Sequence, residues 1–114
     1  MKVIRNAHPR GVVSLDLIGD CLSASDRHVL AAAIQRELDQ AVTRIILRMN
    51  DLAQIDEAGV GYITVFSNTI RSANGSLALT GVDNVRVALK NAESRLDIFP
   101  DEAAALAHIS AQTV

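Results

Sequence analysis

The densest group of potentially reactive side chains combines carboxylates with glycines in the middle of the chain. Asp51, Asp56 and Glu57 come shortly before Gly59 and Gly61. Carboxylate oxygens bind divalent cations, whereas glycines expose backbone N–H groups to anions or to another protein surface. We therefore compare three kinds of site: a phosphate cradle, a phospho-aspartate site with Mg²⁺, and a docking surface without chemistry of its own.

A phosphate cradle is disfavoured by the local charge. Such a cradle uses bare backbone N–H groups at the start of a helix and usually a lysine. Here the carboxylates of Asp56 and Glu57 precede the glycines, and Thr64 stands where a third glycine would be expected. Because like charges repel each other, a phosphate would bind poorly at this position.

A receiver-like phospho-aspartate site lacks two of its required groups. The chain length suits a receiver domain, which needs an acidic pair after its first strand to hold Mg²⁺ and a lysine after its last strand. Residues 19–21 offer one acid only, Asp20, and no lysine follows Lys90. The sequence therefore disfavours this chemistry.

A docking surface fits the same residues, and so does a purely structural role. Asp56 is placed to cap a helix, and Glu57 in the first turn faces the positive end of the helix dipole. Gly59 and Gly61 would leave the backbone bare for another surface to approach. The two glycines would equally suit a tight contact between the helix and the sheet, so both interpretations stay open at this point.

No catalytic nucleophile, metal site or cofactor site is predicted. His8, His28 and His108 lie in three separate segments, and none has a nearby Ser or Cys with an orienting acid. We expect His28 and His108 to face solvent. The only cysteine, Cys21, cannot form a disulfide within the chain, and we expect it to pack as a small, semi-buried residue.

The composition indicates a globular domain that neither binds nucleic acid nor inserts into a membrane. Of 114 residues, 49% are hydrophobic and 21% charged, with a formal net charge of −2 and only one Tyr and two Phe. A nucleic-acid surface needs an excess of positive charge, often with stacking rings. Residues 1–10 lack the apolar centre of a secretory signal. We expect one domain over residues 1–114, located in the cytoplasm.

The elements that position the acidic group alternate between strands and helices. The predicted strands cover residues 11–18, 43–49, 76–81 and 96–99. Gly19 and Asp20 are expected to end the first strand, residues 43–49 to form the central strand, and residues 50–55 to form a polar loop. This alternation predicts an α/β fold with a largely parallel sheet.

Four helices are predicted from start signals and apolar spacing. The first three begin within residues 23–26, at Asp56 and at Asp83-Asn84, and Asn74-Gly75 ends the second. The fourth covers residues 101–111, with Pro100 in its first turn. Their apolar stripes are Leu30, Ile34, Leu38 and Ala41, then Val60, Ile63, Phe66 and Ile70, then Val85, Ala88, Leu89 and Ala92. Polar residues lie opposite the apolar ones along the strands, so most helices should pack on one face of the sheet. Asp16 and Arg48 are expected to form an ion pair on the other, more open face.

Four stretches of the sequence resemble the STAS domain family, which includes bacterial anti-sigma factor antagonists of the SpoIIAA type. They are residues 12–19, Arg44-Ile45-Ile46-Leu47, Ile55-Asp56-Glu57-Ala58-Gly59-Val60-Gly61 and Gly75-Ser76-Leu77-Ala78-Leu79. The resemblance extends from Gly11 to the last helix, and it is most specific in residues 43–61, where the family pattern ends in Asp-Ser-Ser-Gly-Leu-Gly. It implies a small mixed, mostly parallel sheet with about four helices and an antiparallel edge strand from residues 1–6.

The resemblance also implies a mode of regulation that this chain lacks at the usual position. In the family, the Ser directly after the Asp is phosphorylated by a partner that is both a serine kinase and an anti-sigma factor. Asp56 matches the family Asp, whereas Glu57 occupies the phospho-acceptor position and Ala58 the next Ser. Glu57 cannot accept a phosphoryl group by that chemistry. It would either imitate phosphoserine in part or face a Lys or Arg of an adapted partner.

The resemblance implies a non-catalytic protein that binds a kinase-like anti-sigma factor. The alternative is a STAS subunit or scaffold that docks on a transporter ATPase or a signalling assembly, and a weak homodimer is compatible with either. Leu22 stands where the family often has a contacting Asp, and Arg48 where Asp or Asn is common. The predicted partner-binding residues are Asp20, Cys21, Leu22, Ser23, Gln54, Asp56, Glu57, Ala58, Gly59, Val60 and Gly61.

Overall fold

The computed structural model describes residues 1–111, which form six strands and four α-helices in the order β1-β2-α1-β3-β4-α2-β5-α3-β6-α4. The strands are β1 (Lys2–Ala7), β2 (Val12–Cys21), β3 (Arg44–Arg48), β4 (Leu52–Ile55), β5 (Ser76–Thr80) and β6 (Asp97–Phe99). The helices are α1 (Ala24–Asp39), α2 (Glu57–Ser72), α3 (Arg86–Leu89) and α4 (Glu102–Ala111). Short 3₁₀ turns at Val82–Val85 and Lys90–Arg95 flank α3, so residues 82–95 form one irregular helical segment.

The strands form one mixed sheet with β3 at its centre. The order is β1-β2-β3-β5-β6, and β4 pairs with the carboxyl-terminal part of β2. β1 runs antiparallel to β2, whereas the other pairs are parallel. The register places Leu15, Leu47 and Leu79 side by side across β2, β3 and β5. This architecture confirms the predicted α/β fold with an antiparallel amino-terminal edge strand.

The two faces of the sheet carry cores of different size, as the alternating polar residues predict. The larger core joins Leu15, Leu47 and their neighbours to α1, α2 and residues 82–95. On the other face Val12, Ile46 and Ala78 pack against α4. The expected ion pair also lies on this second face, where Arg48 Nη1 is 3.2 Å from Asp16 Oδ1. Arg48 additionally reaches α4, with its Nε 3.1 Å from Glu102 Oε2.

Residues 50–55 do not form the predicted polar loop. β2 continues through Gly19 and Asp20 to Cys21, with a register shift where Gly19 adopts a φ of +99°. This extension offers a free strand edge, and residues 52–55 pair with it as β4 while burying Leu52 and Ile55. The prediction that Gly19-Asp20 ends the strand is therefore wrong, because the glycine produces a bulge instead of a stop.

Helix boundaries differ from the predictions at three places. Ala41 lies beyond α1 with a φ of +62°, so it does not extend the first apolar stripe. Within residues 82–95, Val85, Leu89 and Ala92 are buried as predicted, but Ala88 is exposed because the segment is not one regular helix. Pro100 precedes α4; Asp101 caps that helix by accepting a hydrogen bond from the N–H of Ala104 at 2.8 Å. The stop at Asn74 is confirmed by its φ of +62°.

Candidate partner-docking surface

The sheet brings the loop before α1 next to the start of α2. β2 and β4 pair in parallel with Cys21 opposite Ile55, and the N–H of Asp56 donates to the carbonyl oxygen of Cys21 at 3.0 Å. Both helices therefore begin at the same edge of the sheet, beyond the carboxyl ends of two neighbouring strands. In open α/β sheets this edge is the usual location of binding sites.

Asp56 is fully engaged in holding this edge together. As the cap of α2, its Oδ1 accepts a hydrogen bond from the N–H of Gly59 at 2.8 Å. Its Oδ2 accepts a hydrogen bond from Nη1 of Arg27, on α1, at 3.0 Å. Asp56 thus links the first turns of the two helices, and neither of its oxygens is left without a protein donor.

Glu57 is an acidic side chain that remains available at this edge, as does the exposed Asp20 on β2. Glu57 is the first residue of α2, it is exposed, and its side chain makes no hydrogen bond or ion pair with any side chain or backbone group of residues 1–111. Its charge lies near the positive end of the helix dipole, which stabilises a carboxylate there. The predicted positions of the cap and of the first-turn acid are both confirmed.

The loop before α1 is held in place by three hydrogen bonds to the side chains of Ser23 and Asp26. Ser23 Oγ accepts from the N–H of Asp26 at 3.1 Å, and Asp26 Oδ2 accepts from the N–H of Leu22 at 3.2 Å. Asp26 Oδ1 accepts from the ammonium group of Met1 at 3.1 Å, and this bond, followed by the one from Leu22, lowers the pKa of Asp26. The loop therefore presents the apolar side chain of Leu22 to solvent in a fixed position.

Three of the predicted partner-binding residues lie inside the molecule. Cys21 and Val60 belong to the larger core, and Gly59 is buried. A Cβ atom at Gly59 would lie 2.8 Å from Cγ1 of Ile55 and 3.1 Å from Sγ of Cys21, so this glycine serves a tight internal contact. Burial, followed by the nearby carboxylates of Asp56 and Asp26, raises the pKa of the Cys21 thiol. Cys21 is thus fully buried, not semi-buried as expected.

The other predicted residues remain at the surface. The exposed ones are Asp20, Leu22, Ser23, Gln54, Glu57, Ala58 and Gly61, and Asp56 is partly exposed. Gly61 has no atom within 4 Å of a Cβ built on it, so its backbone is open to approach. Asp51 is separated from this group by the whole of β4, which spans about 13 Å for four residues. We call the surface formed by Leu22, Ser23, Gln54, Glu57, Ala58 and Gly61 the docking surface.

A groove continues from Glu57 along α2, and sequence reasoning missed it. The groove has a volume of about 420 Å³ and lies between α2 and residues 82–95, with Glu57 and Gly61 at one end and Asn68 and Arg95 among its polar residues. Val65, on its rim, is 64% exposed. Val87, in an adjoining groove of about 280 Å³ that also contains Gln54, is 89% exposed. Both valines fall outside the predicted apolar stripes of their helices. An apolar residue outside the buried stripe is expected to be exposed, so the sequence did contain a signal for these two surface valines.

Comparison with known proteins identifies the family. Residues 4–105 match the STAS domain. The chain belongs to the STAS family. No match was found among curated proteins.

Solved structures share the STAS fold over nearly the whole chain. The anti-sigma factor antagonist SpoIIAA in its unphosphorylated form is 21% identical, with a TM-score of 0.76 over 96% of this chain and 98% of that one. An anti-sigma factor antagonist from Mycobacterium paratuberculosis is 11% identical, with a TM-score of 0.78 over 96% and 93%. A sulfate transporter family protein from Wolinella succinogenes is 23% identical, with a TM-score of 0.71 over 94% and 91%. At these identities the likeness concerns the fold.

None of the three histidines of this STAS domain belongs to the docking surface. His28 and His108 are exposed as predicted, whereas His8 is partly buried with Nε2 3.0 Å from Ser14 Oγ. Within residues 1–111, no group of three or more His, Cys, Asp or Glu side chains is arranged to hold a metal ion. None of the helices described in that range combines the length and the hydropathy needed to cross a membrane.

Proposed function

We propose that this STAS domain is a non-catalytic regulator that captures a protein partner through the docking surface, and that the partner is a kinase-like anti-sigma factor. The observation that carries this proposal is the contrast between two adjacent carboxylates. Asp56 is bound on both oxygens within the chain, whereas Glu57 is exposed and its side chain makes no hydrogen bond or ion pair within residues 1–111. Glu57 occupies the position at which related proteins resembling this chain carry the phospho-acceptor Ser.

The surroundings of Glu57 support a macromolecular partner. Leu22 and Tyr62 are 44% and 43% exposed, and Val65 lies on the rim of the groove that begins at Glu57. Exposed apolar side chains around a polar group are typical of protein interfaces, whose central contacts are desolvated on binding. The bare backbone at Gly61 allows a partner to approach the first turns of α2 closely.

Glu57 supplies a permanent charge where a phosphoserine would carry a larger one. A carboxylate bears one negative charge, compared with about −1.5 to −2 for phosphoserine at pH 7. The partner is therefore expected to place a Lys or Arg opposite Glu57, and binding is expected to be constitutive at this position. Regulation by phosphorylation of residue 57 does not operate in this chain.

The partner and the role of Glu57 are tested together by affinity purification from the native cell. The recovered partner is then titrated against the wild-type domain and against Glu57→Lys, with Asp39→Lys, at the far end of α1, as a control with the same change of charge. We expect Glu57→Lys to raise the Kd by about 30-fold or more, since removing one partner of a desolvated charge pair at an interface costs about 2 kcal/mol or more. Equal Kd values for the two variants would contradict the proposal.

A phosphorylation assay tests the assignment of position 57 separately. With the recovered kinase and ATP, the wild-type domain should stay unlabelled at residue 57, whereas Glu57→Ser should become phosphorylated. The added hydroxyl would lie at the exposed start of α2, where a phosphate is favoured by the helix dipole. An unlabelled Glu57→Ser domain that still binds the kinase would contradict the assignment of residue 57 to the acceptor position.

A second candidate function is docking on a transporter ATPase or a signalling scaffold. Two features favour it: residues 57 and 58 lack hydroxyl groups, and the fold also matches a sulfate transporter family protein. A phosphoswitch is unnecessary in such an assembly. Recovery of a transporter ATPase in stoichiometric amount, with no kinase activity in the purified complex, would select this function over the first.

A further inference from the structure

A second concave site lies between β1 and α1 and shares no residue with the docking surface. This site, which we call the α1 hollow, has a volume of about 340 Å³. Its sheet side is formed by Val3, Arg5 and Leu15, and its helix side by residues 28–37 of α1. The volume falls within the range of small-molecule sites, about 300 to 1,000 Å³.

The floor of the α1 hollow is apolar. Leu15 is 1% exposed, and Val3 packs against the larger core. Ala32 and Ala33 of α1 face this space with side chains too small to fill it. The hollow opens to solvent along its helix side, where Ala32 is exposed, so an apolar molecule can enter it.

The charges of the α1 hollow are distributed unevenly. Glu37 has a side chain only 2% exposed, and Arg5 Nε donates to its two oxygens at 2.9 and 3.1 Å, so this carboxylate is neutralised. Arg36 and His28 also line the hollow, and within residues 1–111 neither makes a hydrogen bond or ion pair. The hollow therefore carries a net positive charge that no internal carboxylate balances, although the chain as a whole is acidic.

We propose that the α1 hollow binds a free single-chain amphiphile with one anionic head group, such as a medium-chain carboxylate. The head group pairs with Arg36, and the apolar chain lies on Leu15, Val3 and Ala33. His28 and Arg36 both line the hollow, and the rise of α1, 1.5 Å per residue, separates them by about 12 Å along the helix axis, which sets the length of the bound chain. This site does not depend on the proposed function of the docking surface.

The test is a titration of the ¹⁵N-labelled domain with sodium decanoate, kept below the concentration at which micelles form. We expect saturable shifts confined to amides of β1, of the start of β2 and of α1. Arg36→Gln should raise the Kd at least about 10-fold, because the anionic head group loses its charged hydrogen-bond donor. Lys90→Gln, which removes the same charge from an exposed position outside the hollow, should leave the Kd unchanged.

Two further comparisons identify the ligand chemistry and the location. Decyltrimethylammonium and decanol have the same chain without the negative charge, and each should bind at least about 10-fold more weakly than decanoate because neither can pair with Arg36.

Ala33→Phe should fill the hollow and abolish binding. If the amide spectrum shows that this larger side chain prevents folding, Ala32→Leu provides the same test. The proposal is wrong if a folded filled variant binds decanoate normally, if the cation binds equally well, or if binding occurs only to anionic vesicles.

Discussion

At the scale of single residues, Asp56 and Glu57 show how two adjacent carboxylates acquire different roles. Asp56 caps α2 and binds Arg27, whereas Glu57 faces solvent. Asp56→Ala should therefore lower the free energy of unfolding by about 0.5 to 2 kcal/mol through loss of the cap alone. Glu57→Ala should cost no more than about 0.3 to 1 kcal/mol, the contribution of a first-turn acid. Urea unfolding followed by circular dichroism measures both; a larger loss for Glu57→Ala would contradict the structure.

Gly59 and Gly61 provide a second contrast between neighbouring positions in one helix. A methyl group at Gly59 meets Ile55 at 2.8 Å, so Gly59→Ala should destabilise the domain by about 1 to 3 kcal/mol through overpacking. Gly61→Ala meets no atom within 4 Å and should stabilise the domain by up to about 1 kcal/mol, because Ala favours helix. The same unfolding experiment distinguishes them, and equal effects at the two positions would contradict the tight contact at Gly59.

Asp26 gives a prediction about pH. Its pKa is lowered in the folded domain by the hydrogen bonds from the Met1 ammonium group and from Leu22. The charged form therefore stabilises the fold above the ordinary Asp pKa of about 3.9, and this contribution is lost as the pH falls below that value. Asp26→Asn should be less stable than wild type at neutral pH, and the difference should shrink toward zero near pH 2. A difference that stays constant across this range would contradict the assignment.

The sequence was sufficient to predict the roles of the two acids at the start of α2, but not the role of the buried glycine that follows them. A cap and a first-turn acid follow from local rules, so the roles of Asp56 and Glu57 in α2 could be predicted. The role of Gly59 depends on Ile55 and Cys21, which only the pairing of β4 with β2 brings to the helix. The bond between Arg27 and Asp56 has no local signal, because the two residues are far apart in the chain and meet through the sheet.

At the scale of elements, β4 shows where pattern reading fails. Leu52 and Ile55 are three residues apart, so they break the alternation by which a half-buried strand is recognised. The strand forms because β2 extends past its bulge and leaves backbone groups to be paired. By contrast, residues 43–49 are rich in β-branched and other apolar residues, with Ile45, Leu47 and Met49 on one face, and they contain the central strand as predicted.

The central strand gives the largest expected effect of a single substitution. Leu47 is completely buried between Leu15 and Leu79, so Leu47→Ala should cost about 2 to 5 kcal/mol by leaving a cavity. The loss is measured by urea unfolding, and Glu57→Ala serves as the surface reference. A cost below about 1 kcal/mol would mean that the strand does not occupy the centre of the core.

At the scale of the whole molecule, the two cores depend on the same sheet. β2, β3 and β5 carry apolar residues on both faces, toward α1 and α2 on one side and toward α4 on the other. We therefore expect one cooperative transition in urea, in which the methyl signals of Ile63 and Ile109 disappear together with the far-ultraviolet dichroism. Earlier loss of the Ile109 signal would show that α4 unfolds separately. The unequal covering of the two faces was predictable from the polar residues that alternate along the strands.

The burial of Cys21 has a practical consequence for following complexes of this domain. The chain contains one cysteine, and this thiol is buried with a raised pKa, so it stays protonated and shielded at neutral pH. A cysteine introduced in place of the exposed Val87 would thus be the single thiol open to maleimide reagents. A fluorophore or spin label can then be attached beside the groove without first removing the native cysteine, and its signal would report the arrival of a partner directly.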